Sequence, residues 1–478
     1  MGSRPSDRIA TLIELLPAFV PGVVLVVLAL GAFWLPGSDR YYNHFVWQAE
    51  AFLRGTAVID WPVDGGGFPW GNDWMQDVYP LRELTGDPNP RGALLPFPPL
   101  PAVVLVPFVA LWGRATDIRA VSVAAGVLGV WLAWRVFGQL PVSRTIRLAT
   151  TVFLGFGTVF WYAAQLGTTW FFAHVVAVDL TLLAVGIALR FDPTADEEVE
   201  ASPAPARLAG DVVAAVRRPL ELLDRRQFVA GLLFGLACTA RLTVVFAAPF
   251  FMLVGSGGSW TRRSVSAGLG AAIPIGLLLA YNVATTGHLF HPGYEYQYQR
   301  EAAGYAALGY HPEWSIEDPR YLPQNVGVMF ASAPAILPDR LPGPFGDGDP
   351  VCTEPGATRG LFDPACPLAA PRPIGMSILL TSPAYLLALP ALLRGRSRLV
   401  AGAWRAILAI AFVNLMHFSQ GWVQFGYRFS NDFVVFGAIL VALGMARRNG
   451  VGLLGAWLIG ASVAINLWGV IWGNILGW

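Results

Sequence analysis

Asp39 stands just beyond the first apolar segment of this chain, in the run Ser38-Asp39-Arg40-Tyr41-Tyr42-Asn43-His44-Phe45. A carboxylate at the point where a chain leaves a membrane can deprotonate an acceptor hydroxyl, because partial burial lifts its pKa toward working pH. The structural alternative is a helix-end carboxylate paired with Arg40. Arg241 and Arg428 form the second signal. Arg241 lies between two apolar stretches with no acidic neighbour in sequence, and Arg428 sits in Phe425-Gly426-Tyr427-Arg428-Phe429. A guanidinium in such surroundings needs an anion, and a phosphate at headgroup level matches its planar fork. A carboxylate from another helix, or snorkelling to water, would serve equally. Tyr42, His174, Tyr281, Asn282, Tyr294 and Tyr427 accompany these groups as candidate substrate contacts. His174 also reads as an ordinary helix histidine. Asp73 and Asp77 are second acidic candidates, for acceptor binding or for a divalent metal, with solvated loop acids as the alternative. Asp179, deeper in an apolar segment, is expected to pair within the bundle.

The elements that must position these groups are membrane spans. The chain is 55% hydrophobic with 18 Trp, and its apolar runs recur from end to end, so a soluble domain with a single anchor is excluded. Candidate spans are 13–35, 117–137, 148–164, 170–190, 228–241, 243–256, 265–284, 374–393, 401–417, 431–446 and 451–473. The first is too long for a signal-peptide core and reads as a retained anchor. All basic residues are Arg. With the N-terminus inside, the short clusters at Arg135/Arg144/Arg147, Arg217/Arg218/Arg225/Arg226, Arg262/Arg263, Arg394/Arg396/Arg398 and Arg447/Arg448 all fall on the inner side. One span more or fewer would break that agreement. The expected fold is therefore an all-α polytopic membrane protein of about 11 spans, forming one integral domain over 1–478.

Three loops stand out. The first outer loop, 37–116, holds an amphipathic stretch from Tyr41 to Leu53 suited to lie along the interface. A second apolar run from Leu94 to Trp112 opens with four prolines and reads as a juxtamembrane or partly re-entrant helix. The inner loop, 191–227, is acidic, then Pro/Ala-rich. The second outer loop, 285–373, carries Cys352 and Cys366, which an oxidising compartment would allow to pair. Cys238 reads as a small core residue. There is no P-loop, dinucleotide fingerprint, zinc-ligand spacing or nucleic-acid signature.

The ordered set of motifs resembles the GT-C-fold glycosyltransferases, in particular the bacterial relatives of dolichyl-phosphate-mannose–protein mannosyltransferases. The motifs are Gly37-Ser38-Asp39-Arg40-Tyr41-Tyr42 with Gln48-Ala49-Glu50-Ala51-Phe52-Leu53-Arg54-Gly55, and Phe97-Pro98-Pro99-Leu100 leading to Leu111-Trp112-Gly113. Gly235-Leu236-Ala237 with Thr239 and Arg241, Tyr281-Asn282 with Gly287 and Gly293-Tyr294, and Gly426-Tyr427-Arg428-Phe429 complete them. The resemblance implies a GT-C-like bundle and inverting transfer of a hexosyl or pentosyl group from a polyprenyl-phosphate donor. Asp39 would be the base, and Arg241 and Arg428 the phosphate contacts. The partners would be the lipid-linked sugar, membrane lipids and an acceptor protein, lipid or glycan, at the extracytoplasmic face of a bacterial inner membrane. Arg40 stands where many relatives carry a second acid. The competing classes are a transporter or flippase of a lipid-linked or anionic solute, and a non-catalytic membrane scaffold.

Overall fold

The computed structural model describes residues 14, 16–35, 42–60, 77–86, 92–197, 223–304, 311, 313–343, 346–394, 396–421 and 423–478. Asp39, Arg40 and Asp73 lie outside the described residues. The architecture of the described residues is mostly helical. Three two-stranded antiparallel ribbons decorate it: Tyr79–Pro80 with Ala93–Leu94, Ala335–Ile336 with Ala369–Ala370, and Arg340–Gly343 with Gly346–Pro350.

Among the described residues, five helices are long and apolar enough to cross a membrane: Ile118–Phe137, Thr169–Arg190, Trp260–Thr286, Arg398–Met416 and Gly452–Ile475. Arg144–Phe156 and Phe160–Leu166 make a further span if taken together, bent by 50°. Shorter apolar helices include Val20–Trp34, Leu100–Ala115, Leu242–Leu253, Pro383–Leu393 and Val434–Ala446. Each starts or ends where local chemistry dictates. Asp117, Ser143, Asp224, Ser259 and Ser397 accept hydrogen bonds from main-chain N–H groups that open the following helices, the usual solution for unpaired first-turn donors.

Three expected spans are not continuous helices, the bent 148–164 among them. The chain over 374–393 is broken into Ile378–Thr381, a 3-10 segment at Pro383–Ala388 and Leu389–Arg394. Pro383 and Pro390 cannot donate to the helical ladder, which forces the breaks. The segment after Arg241 likewise begins as 3-10 helix, Leu242–Ala247, before Ala248–Leu253. The amphipathic stretch after Asp39 is a helix over His44–Leu53, and the proline-led run forms Leu100–Trp112.

Val434–Ala446 is buried on every side, and Thr169–Arg190 is buried along most of its length. Such all-round apolar helices form the centre of a bundle. Around them, helices expose Val27, Leu30, Leu277, Leu408, Phe412, Leu453 and Trp457, side chains suited to contact lipid. Arg225–Cys238 and Trp260–Thr286 approach especially closely. A Cβ on Gly231 would meet the Ala267 carbonyl oxygen at 2.1 Å, and one on Gly270 would meet that of Phe228 at 2.1 Å. Small residues thus set the spacing, as they do where apolar helices associate by packing.

The bundle has two chemically distinct ends. At one, Arg398 binds Asp192 through both terminal nitrogens at 2.8 Å, and Arg447 meets Asp196 at 3.1 Å. Arg144 there donates to the Glu14 carbonyl at 3.0 Å. At the other end, Arg119 donates to the carbonyls of Trp34 and Gln165, and Asn474 donates to the Gln165 side chain. This second end collects most of the candidate site residues. Cys352 and Cys366 are joined by a disulfide, with Cα atoms 4.4 Å apart.

Candidate functional site

The site is built around a carboxylate that the bundle closes over completely. Asp432 ends the 3-10 turn Arg428–Asp432, just before the central Val434–Ala446 helix, and its side chain is fully buried. Arg241, 191 residues away in sequence, grips it in a two-pronged contact, Nε to Oδ1 and Nη2 to Oδ2, both at 3.2 Å. Thr243 donates its hydroxyl to Oδ2 at 2.7 Å, and Asn414 its amide at 3.2 Å. The Nδ1 of His174 lies 2.9 Å from Oδ1. Arg241 keeps 20% of its side chain exposed while Asp432 keeps none. The carboxylate is therefore internal, and Arg241 is the member of the pair that keeps some exposure.

Local chain geometry explains why Arg241 can reach. The Arg225–Cys238 helix stops at Thr239, and Arg241 adopts an extended conformation before the next 3-10 turn. The Thr239 carbonyl takes a hydrogen bond from Leu100, tying the proline-led loop helix to this break. Arg428 shares the Phe429 ring with Arg241, the two guanidinium carbons sitting 5.4 Å (Arg241) and 5.2 Å (Arg428) from the ring centroid. Gly421, at φ +81°, makes room for Arg428: a Cβ there would meet the guanidinium carbon at 2.6 Å.

The first loop supplies a second carboxylate. Asp77 accepts a hydrogen bond from the Trp170 indole, and its φ is +49°, in the left-handed region. Burial pushes its carboxyl up from 3.8 to about 6, against the opposing pull of the Trp170 hydrogen bond and the nearby Arg428 charge. Tyr42 packs on Trp170 with ring centroids 4.9 Å apart. The Tyr42 carbonyl receives both the main-chain N–H and the hydroxyl of Thr169 at 2.9 Å, and His44 Nδ1 lies 2.9 Å from that hydroxyl. These contacts pin the loop helix His44–Leu53 to the start of Thr169–Arg190. Tyr294 packs on Phe97 and lies within electrostatic reach of Arg241 and Asp77, and burial raises its hydroxyl pKa.

Several sequence candidates therefore converge: Arg241, Arg428, His174, Tyr42, Tyr294 and the second-choice acid Asp77. Tyr427 is buried behind them, edge-on to Phe429 at 6.0 Å. Tyr281 and Asn282 make their hydrogen bonds elsewhere. The Tyr281 hydroxyl accepts from Gln48 at 3.2 Å, and Asn282 donates to the Leu289 carbonyl at 2.9 Å, closing the turn after its helix. The anion expected beside Arg241 is present within the chain, as Asp432. Asp179 departs from expectation: its Oδ1 is buried against Gly129 with no hydrogen-bond partner among the described residues, because small and apolar side chains face it. Nothing local in the sequence marks Asp432 or Asn414 as members of the site. Their roles depend on contacts across 191 and 18 positions. Among the described residues no group of three or more His, Cys, Asp or Glu could hold a metal ion.

No family model matches the chain, and no curated protein matches it. Among solved structures it is similar to the Archaeoglobus fulgidus oligosaccharyltransferase tethered to an acceptor peptide containing the NVT sequon. The identity is 12% and the TM-score 0.45, covering 96% of this chain and 54% of that one. The chain thus spans about half the length of that protein.

Proposed function

We propose that this protein is a membrane glycosyltransferase that moves a sugar from a polyprenyl-phosphate donor to an acceptor hydroxyl at the extracytoplasmic face of a bacterial inner membrane. The observation that carries the reading is the convergence of Arg241, Arg428, Asp77 and the rings of Tyr42, Trp170 and Tyr294 at the bundle end away from the arginine–aspartate pairs. Arg428, with the part of Arg241 not engaged by Asp432, suits a phosphate whose charge grows as the sugar leaves. Aromatic faces with a nearby carboxylate suit a sugar ring and its hydroxyls. Asp39 acts as the general base, and the acceptor oxygen displaces the lipid phosphate in one inverting step. The polyprenyl tail lies among the apolar helices. The acceptor is a protein, lipid or glycan. A nucleotide-sugar donor is disfavoured because the site opens away from the arginine-rich end, which the positive-inside rule assigns to the cytoplasm.

The test is a turnover assay with purified protein in lipid. A panel of radiolabelled polyprenyl-phosphate sugars is supplied with a native membrane extract as acceptor source. Transfer by the wild type, lost in Asp39→Asn with donor binding retained, is the expected result. Donor binding without transfer by the wild type would overturn the enzyme reading in favour of a transporter or scaffold.

A further inference from the structure

The loop after Thr286 carries apolar side chains that its own fold leaves uncovered. Ile336 is 64% exposed, Leu337 51%, Leu361 50%, Leu368 44% and Phe362 41%. They are one assembly rather than scattered residues. Leu337 donates its N–H to the Leu368 carbonyl, Leu368 donates to Gly360, and Ile336 pairs with Ala369 across the ribbon. The Cys352–Cys366 disulfide ties this tongue together. Leu337 has φ +47°, a left-handed conformation rare for a bulky residue. A water-facing loop gains nothing from such an arrangement, and monomeric surfaces rarely keep large apolar clusters exposed.

Its height relative to the bundle says what covers it. The indole of Trp472, in the last turns of the Gly452–Ile475 helix, donates to the Leu361 carbonyl at 3.0 Å. The Trp472 ring is itself buried in the protein, but its helix is long and apolar enough to cross a membrane, so the last turns lie near the boundary between hydrocarbon and headgroups. Leu361 and its neighbours are held at that level. Phe330 and Val326, four residues apart on Leu322–Ala331, are also exposed, and Ser377 joins this helix to the tongue's exit by a hydrogen bond to the Phe330 carbonyl. We infer that the disulfide-tied tongue 335–370 inserts its apolar side chains into the lipid leaflet on the site's side of the membrane. It is a lipid-anchored tongue rather than a loop extended into water, and this holds whatever reaction the site performs.

Spin labels test this in proteoliposomes. In a Cys238→Ala background, Leu337→Cys and Phe362→Cys are each labelled, with Glu354→Cys as the polar control on the same tongue. Continuous-wave EPR power saturation compares collisions with oxygen, which concentrates in hydrocarbon, and with a water-soluble nickel chelate. The expected oxygen-to-nickel accessibility ratio exceeds unity at 337 and 362 and falls below unity at 354. Ratios below unity at all three sites would place the tongue in water and overturn the inference. So would labels at 337 and 362 shielded from both reagents, since a protein surface would then be the cover. Ile336→Cys repeats the measurement should either labelled variant fail to fold.

Discussion

At the scale of single residues, Asp432 is the group whose loss should be most damaging. Arg241, Thr243, Asn414 and His174 all address it, and it has no exposure. Removing one partner of a buried charge pair strands the other, at a cost of about 3–5 kcal/mol. Asp432→Asn should therefore lower stability by about that much, read by chemical unfolding in detergent. Adding Arg241→Gln should recover part of the loss, because no guanidinium is then left without its counter-charge. If the double variant is as unstable as the sum of the singles, the pair is not the source. Asp77 supports a prediction of opposite sign. Its carboxyl is raised in the folded protein, so the native state holds the proton that an unfolded chain has released. Stability should fall as pH rises from 3.8 to about 6. Asp77→Asn should flatten that part of the profile, measured as unfolding temperature against pH. An unchanged slope would show that the carboxyl is not buried as described.

At the scale of elements, the packing of Arg225–Cys238 on Trp260–Thr286 is set by glycines facing backbone. A side chain at Gly231 meets Ala267 main-chain atoms that cannot rotate away, so Gly231→Val should cost about 1–3 kcal/mol or more. Gly276, on the second of these helices, has nothing within 4 Å of its would-be Cβ. Gly276→Ala should be neutral or slightly stabilising, since alanine is the better helix former. Equal thermal shifts for the two variants would rule out close packing as the cause. The first of these helices ends at the Thr239–Arg241 break, so a shift there would also move Arg241 relative to Asp432. On the proposed function, Arg428→Ala should weaken binding of a radiolabelled polyprenyl-phosphate sugar, read against the wild type in the same lipid preparation.

For the whole molecule, the two ends predict sidedness. The arginine–aspartate pairs at Asp192–Arg398 and Asp196–Arg447 lie at one end, and the aromatic site and the tongue lie at the other. The positive-inside rule predicts that the arginine end faces the cytoplasm. In the Cys238→Ala background, an impermeant maleimide should label Glu354→Cys from outside intact spheroplasts, and Arg448→Cys only after permeabilisation. Labelling of both from the same side would refute the arrangement.

The sequence alone determined that the chain is a multi-helix membrane protein, where its apolar helices fall, and which residues stand at their ends. Apolar runs, prolines and caps act over a few residues, so they are legible locally. The proline-rich stretch over 374–393 is the instructive exception: its hydropathy reads as one span, while Pro383 and Pro390 break the ladder. Sequence also singled out Arg241 and Arg428 as cations in apolar surroundings, because an isolated charge there is costly and conspicuous. It left open what would neutralise Arg241. Only the tertiary structure decided that, by bringing Asp432 across 191 positions to within 3.2 Å. It also decided that Asp77 meets Trp170, and that Asp179 faces Gly129 rather than a partner. A charge pair between distant segments leaves no periodic trace in the chain; it exists only once helix packing has fixed which ends are neighbours.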